Sequence, residues 1–120
     1  MSNHNELGVK GEIIALEYLE KKGYTILEIN WRFKKTEVDI IAKEGKDLVI
    51  VEVKTRNNDL FGFPEESVGK EKQKNLAIAT EEYLEQNNLS MDVRFDVISI
   101  TMTGKTPKIF HIKDAFFPYD

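Results

Sequence analysis

The sequence predicts an α/β fold in which helices flank a mixed β-sheet, with elements in the order α-β-β-β-α-β-β. Three observations support this order. Apolar residues recur at helical spacing near the N-terminus, two strand-like apolar runs are joined by a tight turn, and a second helical stretch separates the third strand from the fourth. At 120 residues the chain suits one domain, covering residues 1–120.

The first helix is predicted over about residues 7–22. Four apolar side chains recur there at helical spacing: Val9, Ile13, Leu16 and Leu19. Gly23 is well placed to end the helix, because glycine adopts the left-handed conformation of a C-cap at little cost. Lys21 and Lys22 then face the negative end of the helix dipole.

Three strands are predicted next, over residues 24–31, 37–43 and 47–55, with a basic turn at 33–35 between the first two. The turn Glu44-Gly45-Lys46 is short enough to join the second and third strands as an antiparallel hairpin. The third strand is almost continuously apolar from Leu48 to Val51, which suits a central strand covered on both faces.

A polar loop over 57–64, carrying Phe61-Gly62, leads to the second helix, which begins at Glu66 or Lys70 and ends near Gln86. A fourth strand at 91–101 and a short fifth at 108–112 follow, and the latter leads into an apolar tail at 115–117. The third strand, second helix and fourth strand can form a crossover unit. The inner stripe of the second helix is predicted to be Leu76, Ala79, Tyr83 and Leu84.

The overall charge is −4, which is not typical of a nucleic-acid-binding protein. Residues 32–74, however, hold 10 of the 17 Lys and Arg residues against 9 acids, so any phosphate-binding face is expected to be local. The chain has no cysteine, no signal-peptide core and no apolar run of membrane-spanning length. We therefore expect a cytoplasmic protein that does not associate with membranes.

Charged residues interrupt both strands of the predicted hairpin. Asp39 lies between Val38 and Ile40, and Glu52 and Lys54 share one face of the next strand because strand side chains alternate. Two carboxylates about 4 Å apart repel by roughly 4 kcal/mol at an effective dielectric of 20, whereas a bound cation makes their proximity favourable. Oxygen ligands with open positions suit Mg²⁺ or Mn²⁺. The alternative is a partly buried salt-bridge network without chemistry.

Glu12 lies on or beside the buried stripe of the first helix. Gly8 and Gly11 flank it, and both cost helix stability relative to alanine. What they provide is room for the close approach of another backbone or a ligand. Glu12 could thus reach the metal or a second ion, or it could remain a solvated acid.

The same residues resemble the restriction-endonuclease-like superfamily, whose motif is written PD-(D/E)xK, and within it the YraN-type family of small bacterial endonuclease-like proteins. The resemblance covers nearly the whole chain. It is carried by Gly8-x-x-Gly11-Glu12, Gly23-Tyr24, Asn30-Trp31-Arg32, Glu37-Val38-Asp39-Ile40-Ile41, Val51-Glu52-Val53-Lys54-Thr55-Arg56, Phe61-Gly62, Lys72-Gln73, Arg94-Phe95-Asp96-Val97 and Ala115-Phe116. The family usually has glycine where this chain has Thr36, and a turn needing positive φ would be strained there.

The resemblance implies a restriction-endonuclease-like fold and a catalytic set of Glu12, Asp39, Glu52 and Lys54. Asp39, Glu52 and the Val53 carbonyl would ligate Mg²⁺ or Mn²⁺, with Glu12 as a further acid, and Lys54 would orient the attacking water. The expected contacts to nucleic acid are Arg32, Lys35, Arg56, Lys72 and Gln73.

The function expected from this set is metal-dependent hydrolysis of DNA phosphodiester bonds, selective for branched or damaged structures, by a homodimer or with a protein partner. A non-catalytic nucleic-acid-binding or adaptor module is the alternative, since a fold does not fix a function. Elsewhere, His111 is expected to be structural and Trp31 to pack in the core. Asp96 could assist the site or make buried hydrogen bonds.

Overall fold

The computed structural model describes residues 6–57 and 68–119. Within these ranges two helices and five strands follow in the predicted order, which confirms the α/β fold class. Each predicted element of the sequence is present, with ends that differ by a residue or two except in the last strand. The elements are α1 Glu6–Lys21, β1 Thr25–Phe33, β2 Thr36–Glu44, β3 Asp47–Arg56, α2 Lys70–Gln86, β4 Asp92–Thr101 and β5 Lys108–Phe116.

The five strands form one mixed sheet in the spatial order β1-β2-β3-β4-β5. Only the β3–β4 pair is parallel, and α2 makes the crossover between these two strands. The β2–β3 hairpin closes with Glu44 opposite Asp47, so Gly45 and Lys46 form a two-residue turn. Gly45 has φ +59°, which explains the glycine at the first turn position.

The central strand β3 separates two apolar cores, as its continuous apolar run predicts. Leu48 and Ile50 pack in one core with Leu76, Ala79 and Tyr83 of α2. Val49 and Val51 point to the other face and pack with Ala15 and Leu19 of α1. The molecule is therefore a sheet with one helix on each face, and the charged residues Glu52 and Lys54 continue the α2-facing side of β3.

Of the apolar stripe predicted for α1, Leu19 is buried and Leu16 packs against the same core, but Val9 and Ile13 do not face the sheet. Val9 and Ile13 are 42% and 50% exposed, whereas Gly11, Ala15 and Leu19 are buried. The small side chains face the sheet because they let the helix approach β3 closely. The predicted helix end is confirmed: Gly23 has φ +93°, and Tyr24 N–H donates to Leu19 O at 3.0 Å in a Schellman arrangement.

Strand β5 is longer than the predicted 108–112 segment. A register shift between Phe95 and Val97, with Asp114 at φ +55°, lets the chain re-enter the ladder, and Phe116 pairs with Phe95. The expected apolar tail is therefore largely strand. The expected Phe61-Gly62 element lies outside the described residues. Neither described helix is long and apolar enough to cross a membrane.

Candidate metal and nucleic-acid site

Backbone pairing between β2 and β3 ends next to Asp39, whose side chain continues the contact between the two strands. Backbone pairing runs from Glu44 opposite Asp47 to Ile40 opposite Val51. At the next step the Asp39 side chain takes the place of a backbone partner, because its Oδ2 accepts a hydrogen bond from Val53 N–H at 2.8 Å. The carboxylate of Asp39 is thus inserted between the two strands, next to Glu52.

Glu52 is only 4% exposed, and just one of its two carboxylate oxygens has partners among the described residues. Its Oε2 lies 3.5 Å from Lys54 Nζ and 2.5 Å from Lys72 Nζ. Its Oε1 is buried and has no hydrogen-bond partner within the described part of the chain. A buried charged oxygen without a donor is costly, so Oε1 is a position where an additional cation or donor would be stabilising.

The electrostatics of Asp39 link three carboxylates into one site. Burial is the largest cause that raises the pKa of Asp39, followed by the charge of Glu52, and the more distant charge of Glu12 adds to it. The hydrogen bond from Val53 and the charge of Lys72 act in the opposite direction, and the net result is a pKa of about 8. Without a bound cation, Asp39 is therefore largely protonated at neutral pH.

Lys72 supplies the positive charge closest to these acids. Burial by itself lowers the pKa of Lys72, but the charge and hydrogen bond of Glu52, with the charges of Asp39 and Glu37, outweigh it and raise the pKa. Lys72 therefore remains an ammonium ion at neutral pH. It lies in the first turns of α2, so this helix delivers a cation to the carboxylates of β2 and β3.

Helix α1 brings Glu12 to the site through a close contact at the preceding residue. A Cβ atom placed on Gly11 would lie 1.8 Å from Thr55 Oγ1 and 2.8 Å from Thr55 Cβ, so only glycine fits. The expectation that Gly11 permits close approach is confirmed. The helix is thereby held against the end of β3 that carries Glu52 and Lys54, and partly buried Glu12 lies near enough to influence Asp39.

A groove of about 560 Å³ opens beside Asp39. It brings Arg32, Lys35 and Lys72, three of the predicted nucleic-acid contacts, to the same place as Asp39. Arg32 lies 3.7 Å from Glu37, so its charge is partly balanced within the groove. The lining residues are Arg32, Lys35, Thr36, Glu37, Asp39, Gly69, Glu71, Lys72 and Asn75.

The other two predicted contacts lie apart from this groove. The side-chain amide of Gln73 donates to Val68 O at 3.0 Å and so supports the start of α2. Gln73 lines a separate shallow surface with Lys70 and Lys74. Arg56 is the last residue of β3 and is not among the residues lining the 560 Å³ groove.

The described residues fit a hydrated divalent ion better than a fully protein-ligated one. In the arrangement seen, no three His, Asp or Glu side chains within residues 6–57 and 68–119 are grouped closely enough to enclose a metal. Mg²⁺, however, commonly takes one or two carboxylates and completes its shell with water and substrate phosphate. Asp39 and the unpartnered Oε1 of Glu52 supply such a pair. Since N–H and C=O of one strand residue project to the same side, we expect the Val53 carbonyl to face Asp39 as well.

The departure at Thr36 causes no backbone strain. Thr36 is the first residue of β2, and the positive φ of this turn is at Lys34, with φ +57°. The chain therefore reverses at Lys34, two residues before Thr36. Thr36 itself has an ordinary strand conformation and lines the groove beside Asp39.

A second polar network, centred on Asp96, was not predicted as a unit. Asp96 is fully buried, and Arg94 binds both of its carboxylate oxygens at 2.9 Å. His111 Nε2 lies 2.7 Å from Asp96 Oδ2, and Tyr18 OH lies 3.0 Å from His111 Nδ1. Of the two roles considered for Asp96, buried hydrogen bonding is the one observed. The signal was available in Arg94-x-Asp96, whose alternation puts both charges on one strand face.

His111 and Trp31 have structural contacts, as the sequence predicts. His111 packs edge-on against Tyr18, with ring centroids 5.5 Å apart. Trp31 packs edge-on against Tyr83 at 5.2 Å and joins the α2-facing core.

Sequence comparisons find close relatives along almost the whole chain. The profile of the uncharacterised protein family UPF0102 matches residues 11–100. A UPF0102 protein of Christiangramia forsetii is 50% identical over 117 residues, covering 98% of each chain. UPF0102 proteins of Flavobacterium psychrophilum and Geobacter metallireducens are 47% and 48% identical, covering 99% and 97% of this chain and 100% and 97% of their own.

Proposed function

This chain belongs to the uncharacterised protein family UPF0102, the YraN-type family that its motifs resemble, and we propose that it is a metal-dependent nuclease that hydrolyses DNA phosphodiester bonds. The observation that carries this proposal is the placement of Asp39 and the unpartnered Oε1 of Glu52 beside a groove that holds the three cations Arg32, Lys35 and Lys72. A purely structural ion network would bond both oxygens of its buried carboxylate.

The residues that would hold Mg²⁺ or Mn²⁺ are Asp39, Glu52 and the Val53 carbonyl, with Glu12 as a further acid close by. Such an ion would lower the pKa of water and polarise a phosphoryl oxygen. The raised pKa of Asp39 supports this assignment, because a divalent cation would offset both its causes, burial first and the neighbouring charge of Glu52 second.

Lys54 supplies the general electrostatic help that phosphodiester hydrolysis needs. Its Nζ lies 3.5 Å from Glu52 Oε2, and its side chain is 32% exposed, so it can reach both the carboxylates and a bound substrate. We assign it to orienting the attacking water and stabilising negative charge that develops on the phosphate oxygens.

The groove cations Arg32, Lys35 and Lys72 would bind the DNA backbone. Glu37 and Glu71 line the same groove, so the field is only weakly positive even with Asp39 protonated. With three phosphate contacts, the logarithm of DNA affinity should fall with the logarithm of salt concentration with a slope of about −3. Phosphate contacts position a duplex without reading its sequence. A small chain with one such groove is therefore better suited to recognising DNA structure, such as a branch or a flap, than a base sequence.

The alternative is a nucleic-acid-binding module without catalysis. It is favoured by the contact between Lys72 and Glu52 at 2.5 Å, which neutralises the carboxylate that an ion would need. On this interpretation Lys72 is a permanent substitute for the metal. On the nuclease interpretation Lys72 would contact a substrate phosphate, and a bound ion would take over the neutralisation of Glu52.

A cleavage and binding panel distinguishes these functions. Purified protein is incubated with linear, nicked, flapped and four-way branched DNA in Mg²⁺, Mn²⁺ or EDTA, and both cut strands and retarded complexes are measured. The nuclease proposal expects metal-dependent cuts, preferentially in branched substrates, that Glu52→Gln abolishes. Complexes without cuts in either metal would overturn it in favour of the binding module. Glu17→Gln, which changes an exposed acid of α1, is the control.

A further inference from the structure

A second groove, of about 1090 Å³, lies between α2 and the C-terminal segment and shares no lining residue with the groove beside Asp39. Three large apolar side chains project into solvent there: Ile78 is 57% exposed, Phe117 61% and Tyr119 39%. Leu89 and Met91 lie on its floor. Exposed apolar side chains that gather in one groove are typical of a surface that binds another molecule.

The rim of this groove is acidic. Four acids line it, against one cation, Lys34, among the described lining residues: Glu81, Glu82 and Glu85 from α2 and Asp92 from β4. The formal charge of the lining is therefore −3. An apolar floor with an acidic rim favours a ligand that presents apolar side chains flanked by lysine or arginine.

We propose that this groove docks a basic, apolar segment of a partner protein. A second copy seated face to face would bring four acids against the same four acids, which opposes a symmetric dimer here. DNA and anionic lipid surfaces would be repelled by the same charges. In a cationic peptide, basic side chains would pair with the acidic rim, and two or three apolar side chains would pack on the floor of the groove.

The position of the groove links the partner to the carboxylate site. The turn after β1 borders both surfaces, since Lys34 lines the acidic groove and Lys35 lines the basic groove beside Asp39. A docked segment that contacts Lys34 would therefore lie next to the surface proposed to bind phosphate, because Lys35 is the following residue. The interaction itself does not depend on the nuclease proposal, because it uses none of the catalytic residues.

Binding of a synthetic peptide tests the proposal directly. The probe is a fluorescein-labelled helical peptide of about 15 residues with leucine and phenylalanine at helical spacing and lysine or arginine elsewhere. The comparison peptide keeps the apolar positions and replaces each basic residue with glutamate. We expect saturable binding of the basic peptide, at least tenfold tighter than the acidic one, with amide shifts in NMR spectra centred on residues 78–92 and 117–119.

Matched variants locate the interaction. Ile78→Ser and the double change Glu81→Gln with Glu85→Gln should each weaken binding at least tenfold. Ile13→Ser and Glu17→Gln change a similarly exposed isoleucine and an exposed acid on α1, and should leave binding unchanged. Absence of saturable binding, equal affinity for the acidic peptide, or equal loss in the α1 controls would overturn the proposal. Concentration-dependent dimerisation in sedimentation that Ile78→Ser abolishes would overturn it in favour of a second copy.

Discussion

Asp39 Oδ2 accepts the hydrogen bond of Val53 N–H at 2.8 Å, in the position where the β2–β3 ladder would otherwise continue. This contact aims a carboxylate at the strand segment that carries Glu52 and Lys54. It also means that the site is built partly from backbone, so that side-chain changes at Asp39 alter both the ligand set and the end of the hairpin.

Mn²⁺ should stabilise the folded protein through Asp39 and Glu52. A ligand that binds only the folded state at about 100 times its Kd contributes roughly 2.7 kcal/mol, equivalent to a rise in Tm of about 10 °C or more for a domain of this size. Thermal melts with and without Mn²⁺ measure this gain. Asp39→Asn and Glu52→Gln should abolish it while Glu17→Gln keeps it; a gain of wild-type size in both site variants contradicts the assignment.

Lys54→Ala should separate chemistry from ion binding. The side chain lies beside Glu52 but is not a metal ligand, so the Mn²⁺-induced rise in Tm should persist. Cleavage should fall by about 100-fold or more, the usual cost of losing a preorganised charge near a developing anion. Single-turnover cleavage rates at saturating metal give the comparison, and an unchanged rate excludes Lys54 from catalysis.

Lys72→Met should tighten metal binding and weaken DNA binding at the same time. The ammonium of Lys72 lies 2.5 Å from Glu52 Oε2, so it neutralises the carboxylate and repels a cation at Oε1. Removing that positive charge should lower the Kd for Mn²⁺ in calorimetric titrations. The same change removes one phosphate contact and should reduce the salt dependence of DNA affinity by about one ion. Weaker Mn²⁺ binding in the variant would show that Lys72 supports the ion site instead.

The metal-free protein should lose stability as pH rises towards 8. Burial, together with the charges of Glu52 and Glu12, raises the pKa of Asp39 from 3.8 to about 8. Between these values the folded state binds more protons than the unfolded state, so the free energy of unfolding falls with pH. Melting curves from about pH 5 to 9 should show this decline for wild type. Asp39→Asn should flatten it, and a slope equal to that of wild type would assign the decline to other groups.

Gly11→Ala should destabilise the protein, although alanine is the better helix former by about 1 kcal/mol. The added methyl group would meet Thr55 Oγ1 at 1.8 Å, and such overpacking costs about 1–3 kcal/mol. Urea denaturation measures the loss, and adding Thr55→Ala should recover part of it. Gly69→Ala has no atom within 4 Å of the new Cβ and should cost less than about 1 kcal/mol, from cap preference alone. Equal losses at both glycines would refute the close contact.

Local patterns in the sequence were sufficient to predict the elements and part of the site. Alternation placed Glu52 and Lys54 on one face of β3, and their salt bridge confirms it. Gly45 indicated the hairpin turn, and Gly23 the end of α1. Each of these features depends on residues a few positions apart, whose relative geometry the strand or helix period determines.

Features that depend on distant residues required the tertiary structure. The side chain of Asp39 accepts a hydrogen bond from the backbone of Val53, and Lys72 contacts Glu52 from the first turn of α2. Helix α1 is rotated so that Gly11, not Val9 or Ile13, meets the sheet. Periodicity specifies which residues share a face, but the distance between two faces depends on how the side chains between them pack. The chain itself therefore determined the strands, the helices and the charged residues of the site, whereas packing decided which of those charges come together.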